Sequence, residues 1–237
     1  MLPKANKNPH LTASYRPISL PPAFFKLLEK IVYNRLKPTI EREKLTPEHQ
    51  FGFRNKHSTI EQMHRLVNEI LQPLETKQYC TALFMDIEKA FDKVNDGKLL
   101  QTIKKQFPEQ IYKLLKSCLN NRTFVVKIND AYSEIKDIKA GVPQGSVLGP
   151  ILYTLYTADI PTTCNSKTLT FADDTVILAR HENPETAVTL LQEHTTKIEK
   201  WLQVKQIKAN PNKCNHITFT LRKQTPPNIL LNGTHIT

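Results

Sequence analysis

The chain has 237 residues, enough to bury a sizeable core in one large domain or two subdomains. Its 39% hydrophobic and 23% charged content is that of a folded protein and excludes a disordered one. A formal charge of +11, with lysines and arginines spread along the chain, points to a polyanionic partner, nucleic acid before membrane.

Residues 1–20 are rich in Pro and Asn, carry Lys4, Lys7 and Arg16, and read as an extended lead-in. Pro21-Pro22 opens a predicted helix whose apolar stripe is Phe24, Leu27, Leu28, Ile31, Val32 and Leu36. Pro38 is expected to end or kink it. Thr46-Pro-Glu-His-Gln-Phe-Gly-Phe-Arg54 is a loop with an aromatic pair around Gly52. Ser58-Thr-Ile-Glu61 is a capping box, and Ile60, Met63, Leu66, Val67, Ile70 and Leu71 are expected to fill the inner face of the next helix.

From Tyr79 strands begin to alternate with helices. Residues 81–85 form an apolar strand ending in Asp86, and helices are predicted over 99–107 and 108–119, with Asn120-Asn121 as the stop. Residues 123–128 and 133–138 read as paired strands. Gly141-Val-Pro-Gln-Gly-Ser-Val-Leu-Gly-Pro150 holds three of the six glycines, so its backbone either takes φ > 0 or admits a close neighbour. An apolar helix over 151–160 ends at Pro161. A tight hairpin follows, with strands 169–171 and 176–179 joined by Ala-Asp-Asp-Thr. Asn183-Pro184 opens a long helix through Trp201 to Val204, and 215–221 is a last strand. This order is an α+β fold, a sheet with helices on one face.

Cys80, Cys118, Cys164 and Cys214 lie far apart without a CxxC pair, which indicates neither a zinc site nor a disulfide framework and suits a reducing compartment. No apolar signal segment opens the chain and no run approaches a membrane span, so an intracellular protein without a membrane partner is expected.

The chemistry centres on acids. Asp173 and Asp174 sit at the tip of the hairpin, where Asp is also an ordinary turn residue. Asp86 ends a separate strand. Three carboxylates on adjacent strand ends make a hard-oxygen cluster suited to magnesium.

Six blocks in order carry a resemblance. They are Tyr15-Arg-Pro-Ile-Ser-Leu20, Gln50-Phe-Gly-Phe-Arg54 with Ser58-Thr59, Phe84-Met-Asp-Ile-Glu-Lys-Ala-Phe-Asp92, the glycine-rich 141–150, Phe171-Ala-Asp-Asp174 and Asn210-Pro-Asn-Lys213. Over about residues 1–221 the chain resembles the reverse transcriptases of non-LTR (LINE-type) retrotransposons, the jockey-like branch above all. The resemblance implies the fingers and palm of a right-hand polymerase, with a ferredoxin-like antiparallel palm sheet. It implies fingers over 1–78, palm over 79–221 with fingers residues interleaved at about 108–140, and the start of a connection over 222–237. A thumb is expected to be absent or only begun.

The implied activity is RNA-directed DNA synthesis, with RNA template, DNA primer and deoxynucleotides as partners and two Mg2+ ions as cofactor, Mn2+ substituting. Asp86 and Asp173 would bridge the ions, with Asp174 nearer the primer and the Ile87 carbonyl as a further ligand. Phe91, five residues after Asp86, stands where the family places an aromatic floor that rejects a 2′-hydroxyl; an ordinary core Phe is the plain alternative. Gln144 and Gly145 resemble the family's nucleotide-contacting turn. Arg16 and Lys4 look like the cations that clasp the triphosphate, although Lys4 equally reads as a solvated charge. Lys213 resembles the family's lysine behind the active site, a proton donor to pyrophosphate; Cys214 follows it where the family usually has Thr. Endonuclease and thumb domains of a longer polyprotein are expected partners, and the nucleus, or the cytoplasm, the expected location. The alternative is a truncated or domesticated palm that is catalytically idle and only binds nucleic acid.

Overall fold

The computed structural model describes residues 2–4, 8, 10–11, 14–224 and 226–236; Lys7 of the lead-in lies outside them. In chain order they form β1 (Leu2–Pro3), β2 (Tyr15–Arg16), α1 (Ala23–Arg42), α2 (Thr59–Glu75) and β3 (Tyr79–Met85). There follow α3 (Asp96–Gln106), α4 (Glu109–Leu119), β4 (Thr123–Phe124), β5 (Lys127–Ile128), β6 (Ala131–Tyr132) and β7 (Lys136–Asp137). The last part holds α5 (Gly149–Thr157), β8 (Ser166–Phe171), β9 (Asp174–His181), α6 (Pro184–Lys205), a 3-10 turn (Pro211–Lys213), β10 (Asn215–Phe219), β11 (Leu230–Leu231) and β12 (Thr234–His235). None of the described helices is long and apolar enough to cross a membrane.

Two compact units result, each drawn from two stretches of chain. The first comprises Met1–Leu45 and Phe91–Tyr156. Its α1 buries Val32, Leu36 and Ile40, whereas Phe24, Leu27, Leu28 and Ile31 of the expected stripe are exposed. The helix runs on to Arg42 instead of stopping at Pro38. Leu36 and Ile40 flank the proline and are both buried, so their packing offsets the roughly 3 kcal/mol that an interior proline costs. The strands read at 123–128 and 133–138 are broken into two short pairs, β4 with β7 and β5 with β6.

The second unit comprises Thr46–Ala90 and Thr157–Thr237. Its centre is an antiparallel sheet in the order β10-β3-β9-β8. Helix α2 starts with the expected capping box: Ser58 Oγ accepts from Glu61 N (3.2 Å) and Glu61 Oε2 accepts from Ser58 N (2.6 Å). Its expected inner face is only partly inner. Leu66 and Ile70 pack with Cys80, Ala82, Leu169 and Leu178, while Ile60, Met63, Val67 and Leu71 stay exposed.

Helices cover both faces of this sheet, where one covered face was expected. Cys80 and Ala82 point to α2. On the opposite face Ser166 lies across from Ala179 and bonds His194 of α6 (2.6 Å). The cause is visible in β3, whose residues are buried almost without alternation, as a strand sandwiched between two layers must be.

Candidate active site

Asp86 and Asp174 come near each other because β3 and β9 are antiparallel neighbours. Met85 pairs with Thr175, so one step further Asp86 comes opposite Asp174. Residues opposite each other in such a ladder point to the same face, about 5 Å apart. Phe171 pairs with Asp174 to close the hairpin, leaving a two-residue loop, Ala172-Asp173. Ala172 takes φ +58°, a left-handed conformation that costs an alanine about 1–2 kcal/mol. Burial, and after it the charge of Asp86, pushes the Asp174 carboxyl above its ordinary value. That second cause reflects the nearness of the Asp86 charge.

A third segment reaches the same place. Asn210 N donates to Asp86 O (2.9 Å) and Glu88 N to Lys208 O (2.8 Å), with Ile87 opposite Ala209. In this kind of antiparallel bridge the bonds come from the flanking residues, so the Ile87 carbonyl points the other way, toward the β9 side. Asn210 also starts the 3-10 turn, its Oδ1 accepting from Asn212 N at 3.2 Å. The turn carries Lys213, whose Nζ lies 3.2 Å from both Asp86 carboxylate oxygens. The role of Asn210 in pinning this lysine to Asp86 was missed from sequence; an Asn before a Pro, a helix-start signal, was its trace.

The expected nucleotide-contacting residues all lie in the first unit. The β1–β2 register places Leu2 across from Arg16, and Lys4 N donates to Ser14 O (2.8 Å). Lys4 and Arg16 therefore share one face of this ribbon as diagonal neighbours, both exposed. Phe91 is half-buried and stacks on buried Tyr153, centroids 4.6 Å apart at 22°. Its carbonyl accepts from Val142 N (2.8 Å). Gln144 Nε2 donates to Asp92 Oδ1 (2.9 Å), and Gln144 O accepts from Ser19 N (2.8 Å). The glycines of 141–150 are needed as expected. Gly141 and Gly145 have φ of +101° and +96°, and a Cβ on Gly149 would meet Pro143 O at 2.4 Å. Asp159 accepts from Trp201 Nε1 (3.0 Å) and pairs with Lys205 (2.9 Å).

A family profile described as reverse transcriptase (RNA-dependent DNA polymerase) matches residues 2–230. The chain belongs to the reverse transcriptase family. It is 40% identical over 241 residues to the RNA-directed DNA polymerase from mobile element jockey of Drosophila melanogaster, and 39% identical over 242 residues to that of Drosophila funebris. Each match takes in 98% of this chain and 26% of the relative, so the chain spans about a quarter of their length. The jockey-like resemblance of the six blocks is thus borne out. Among solved structures it is similar to telomerase from Candida tropicalis in complex with a fragment of telomeric RNA. The TM-score is 0.60 at 16% identity, over 87% of this chain and 35% of that one. At that identity the likeness is one of fold: a mixed α/β polymerase fold of the fingers-and-palm kind.

The donor set of the chain fits a divalent cation in kind and in backbone placement. Asp86 and Asp174 face each other, Asp173 lies at the hairpin tip, and the Ile87 carbonyl is turned to that side. As the side chains stand, no three His, Cys, Asp or Glu among the described residues are gathered as a metal-holding group. At Asp86 the Lys213 ammonium engages both oxygens that a cation would take.

Proposed function

We propose that this chain is the reverse transcriptase region of a longer non-LTR retrotransposon polyprotein, adding deoxynucleotides to a primer 3′-hydroxyl on an RNA template. The observation that carries the reading is the β3–β9 register, which ends at Met85–Thr175 and so brings Asp86 to the hairpin of Asp173 and Asp174, with Lys213 on Asp86 as a countercharge. Asp86, Asp173, Asp174 and the Ile87 carbonyl would hold two Mg2+ ions, or Mn2+ in their place. Such ions lower the pKa of the attacking hydroxyl and neutralise the departing pyrophosphate.

The residues of this chain supply the rest. Arg16 presents a planar fork suited to bidentate phosphate contacts, and Lys4 adds a point charge on the same face of the ribbon. Phe91, held by its stack on Tyr153, offers a ring edge that would collide with a 2′-hydroxyl and so favour deoxynucleotides. Gln144 and Gly145 would meet the sugar and base, in a turn where a side chain at 145 would crowd Ser19 O at 3.1 Å. Lys213 is a general acid in this reading, able to leave Asp86 and donate to pyrophosphate. Residues 1–78 would serve as fingers, with α2 as a brace on the sheet, and 79–221 as palm, with fingers residues interleaved at about 108–140. Residues 222–237 would lead toward the thumb, the polyprotein's endonuclease would nick the DNA target, and synthesis would take place in the nucleus.

Single-nucleotide addition on an RNA-templated primer tests this. The +11 charge predicts salt-sensitive primer–template binding with little sequence preference. Asp173→Asn should abolish Mg2+-dependent addition and leave that binding in place. Bound primer that the unaltered chain never extends would instead mark an idle, nucleic-acid-binding palm.

A further inference from the structure

The loop of residues 46–54 contains one side chain that reaches the catalytic turn. β8 is the edge strand of the four-stranded sheet, and His49 to Phe51 add to that edge. Thr170 N donates to His49 O (2.9 Å), Phe51 N donates to Thr170 O (3.0 Å), and Gln50 pairs in parallel with Thr170. This fixes Gln50 beside the end of β8, with its side chain buried. Its Oε1 accepts from Ala172 N (3.0 Å) and from Gly52 N (2.7 Å). Its Nε2 donates to Ala172 O (3.1 Å). One amide therefore takes both polar backbone groups of the residue that precedes Asp173.

Gly52 closes the same contact from the other side. A Cβ there would stand 2.1 Å from Ala172 N and 2.8 Å from Ala172 Cα. Only a residue without a side chain lets the loop lie this close to the turn, and only that closeness lets Gln50 span it. Ala172, at φ +58°, sits where an alanine does not rest unaided. A two-residue loop this short transmits any change at Ala172 directly to the next residue.

We propose that Gln50, seated by Gly52, is a positioning residue for the metal site: its amide clamps the left-handed Ala172 and so fixes the direction in which Asp173 and Asp174 are presented. This rests on the reading of those acids as metal ligands. Gln50 does not touch the ion or the substrate. It acts by holding the backbone from which the carboxylates project, as the supporting contacts of metal sites do.

Mn2+ titration by electron paramagnetic resonance tests it, using the whole chain and five proteins: unaltered, Gln50→Met, Gly52→Ala, Gln62→Met and Asp173→Asn. Gln62 is the matched control, since its Nε2 bonds Thr170 O (3.0 Å) and His49 O (3.3 Å), on the same strand but short of the turn. Gln50→Met and Gly52→Ala should each weaken Mn2+ binding at least tenfold, while Gln62→Met stays within about twofold, because losing a contact that holds a metal ligand in place typically costs about 10–100-fold in affinity. Equal losses in Gln50→Met and Gln62→Met would reduce Gln50 to a fold-stabilising residue, and unchanged binding in Gln50→Met and Gly52→Ala would overturn the clamp. Amide exchange on the unaltered protein decides the matter if the variants do not fold. The Ala172 and Gly52 amides should be protected without metal, and free exchange there contradicts the proposal. If Asp173→Asn binds Mn2+ as well as the unaltered chain, the metal reading fails, and amide protection still judges the clamp separately.

Discussion

Arg122 ties together three pieces of the first unit, and its removal should be costly. Its guanidinium donates through Nη2 to Asp96 Oδ2 (2.9 Å) and to Gly141 O (2.6 Å), and through Nε to Leu119 O (3.0 Å). These partners are the first turn of α3, the start of the glycine-rich segment and the last residue of α4. The Arg122 and Asp96 side chains are only 12% and 19% exposed, so water does little to replace what is lost. Arg122→Leu leaves the Asp96 carboxylate without its countercharge and two carbonyls without a donor. Breaking one partner of a buried pair costs about 3–5 kcal/mol. At this chain length each kcal/mol lowers Tm by roughly 2–4 °C, so a fall on the order of 10 °C is expected. Urea denaturation followed by far-ultraviolet circular dichroism measures it. In an Asp96→Asn background the orphaned charge is gone, and the same substitution should cost at least about 1.5 kcal/mol less, a coupling within the usual range for residues in contact. A loss below about 1 kcal/mol, or strictly additive costs, would show that the guanidinium is solvated and ties nothing, as for an exposed ion pair.

Burial holds His49, His194 and His216 below the ordinary histidine value of 6.5. The unfolded chain then takes up protons first, so stability should be full above about pH 6.5 and fall as pH drops from there toward the folded-state values. For His194 the ring is fixed: Nε2 must donate to Pro161 O (2.9 Å), leaving Nδ1 to accept from Ser166. His194→Gln should flatten the profile of Tm between pH 5 and 8, and a flat profile in the unaltered chain would contradict the burial argument. Lys213→Met should change stability by less than about 0.5 kcal/mol, because the lysine side chain is 62% exposed. It should tighten Mn2+ binding several-fold by removing a competing ammonium, and weaker binding would mean that the lysine helps build the site. Phe91→Ala, assayed with the flanking domains present, should raise ribonucleotide use relative to deoxynucleotide use; an unchanged ratio would make the ring a packing partner of Tyr153 only.

Local signals were the legible ones. The Ser58 capping box, the Asn183 cap of α6 and the tight hairpin around Asp173 depend on neighbours in sequence, and each forms where expected. Periodicity showed which residues of α1 and α2 make a stripe but not what covers it, and four of the six residues in each stripe are exposed. The helices on both faces could have been read from the unbroken apolar run of β3. Gln50 could not be assigned its bond to Ala172, because the two are 122 residues apart and no pattern within the loop encodes that approach. Gly52 was seen as a glycine between aromatics; only the fold shows which backbone lies 2.1 Å from its missing Cβ.

Asp86, Asp173 and Asp174 are the proposed holders of the divalent cations. Anomalous scattering from crystals of the chain grown with Mn2+, primer–template and a deoxynucleotide measures this directly. A peak is expected about 2.0–2.4 Å from carboxylate oxygens of Asp86 and of the hairpin acids, the spacing of direct oxygen coordination, with Lys213 displaced from Asp86. A fully occupied Mn2+ that leaves the Asp86–Lys213 pair intact and touches neither Asp173 nor Asp174 would contradict it.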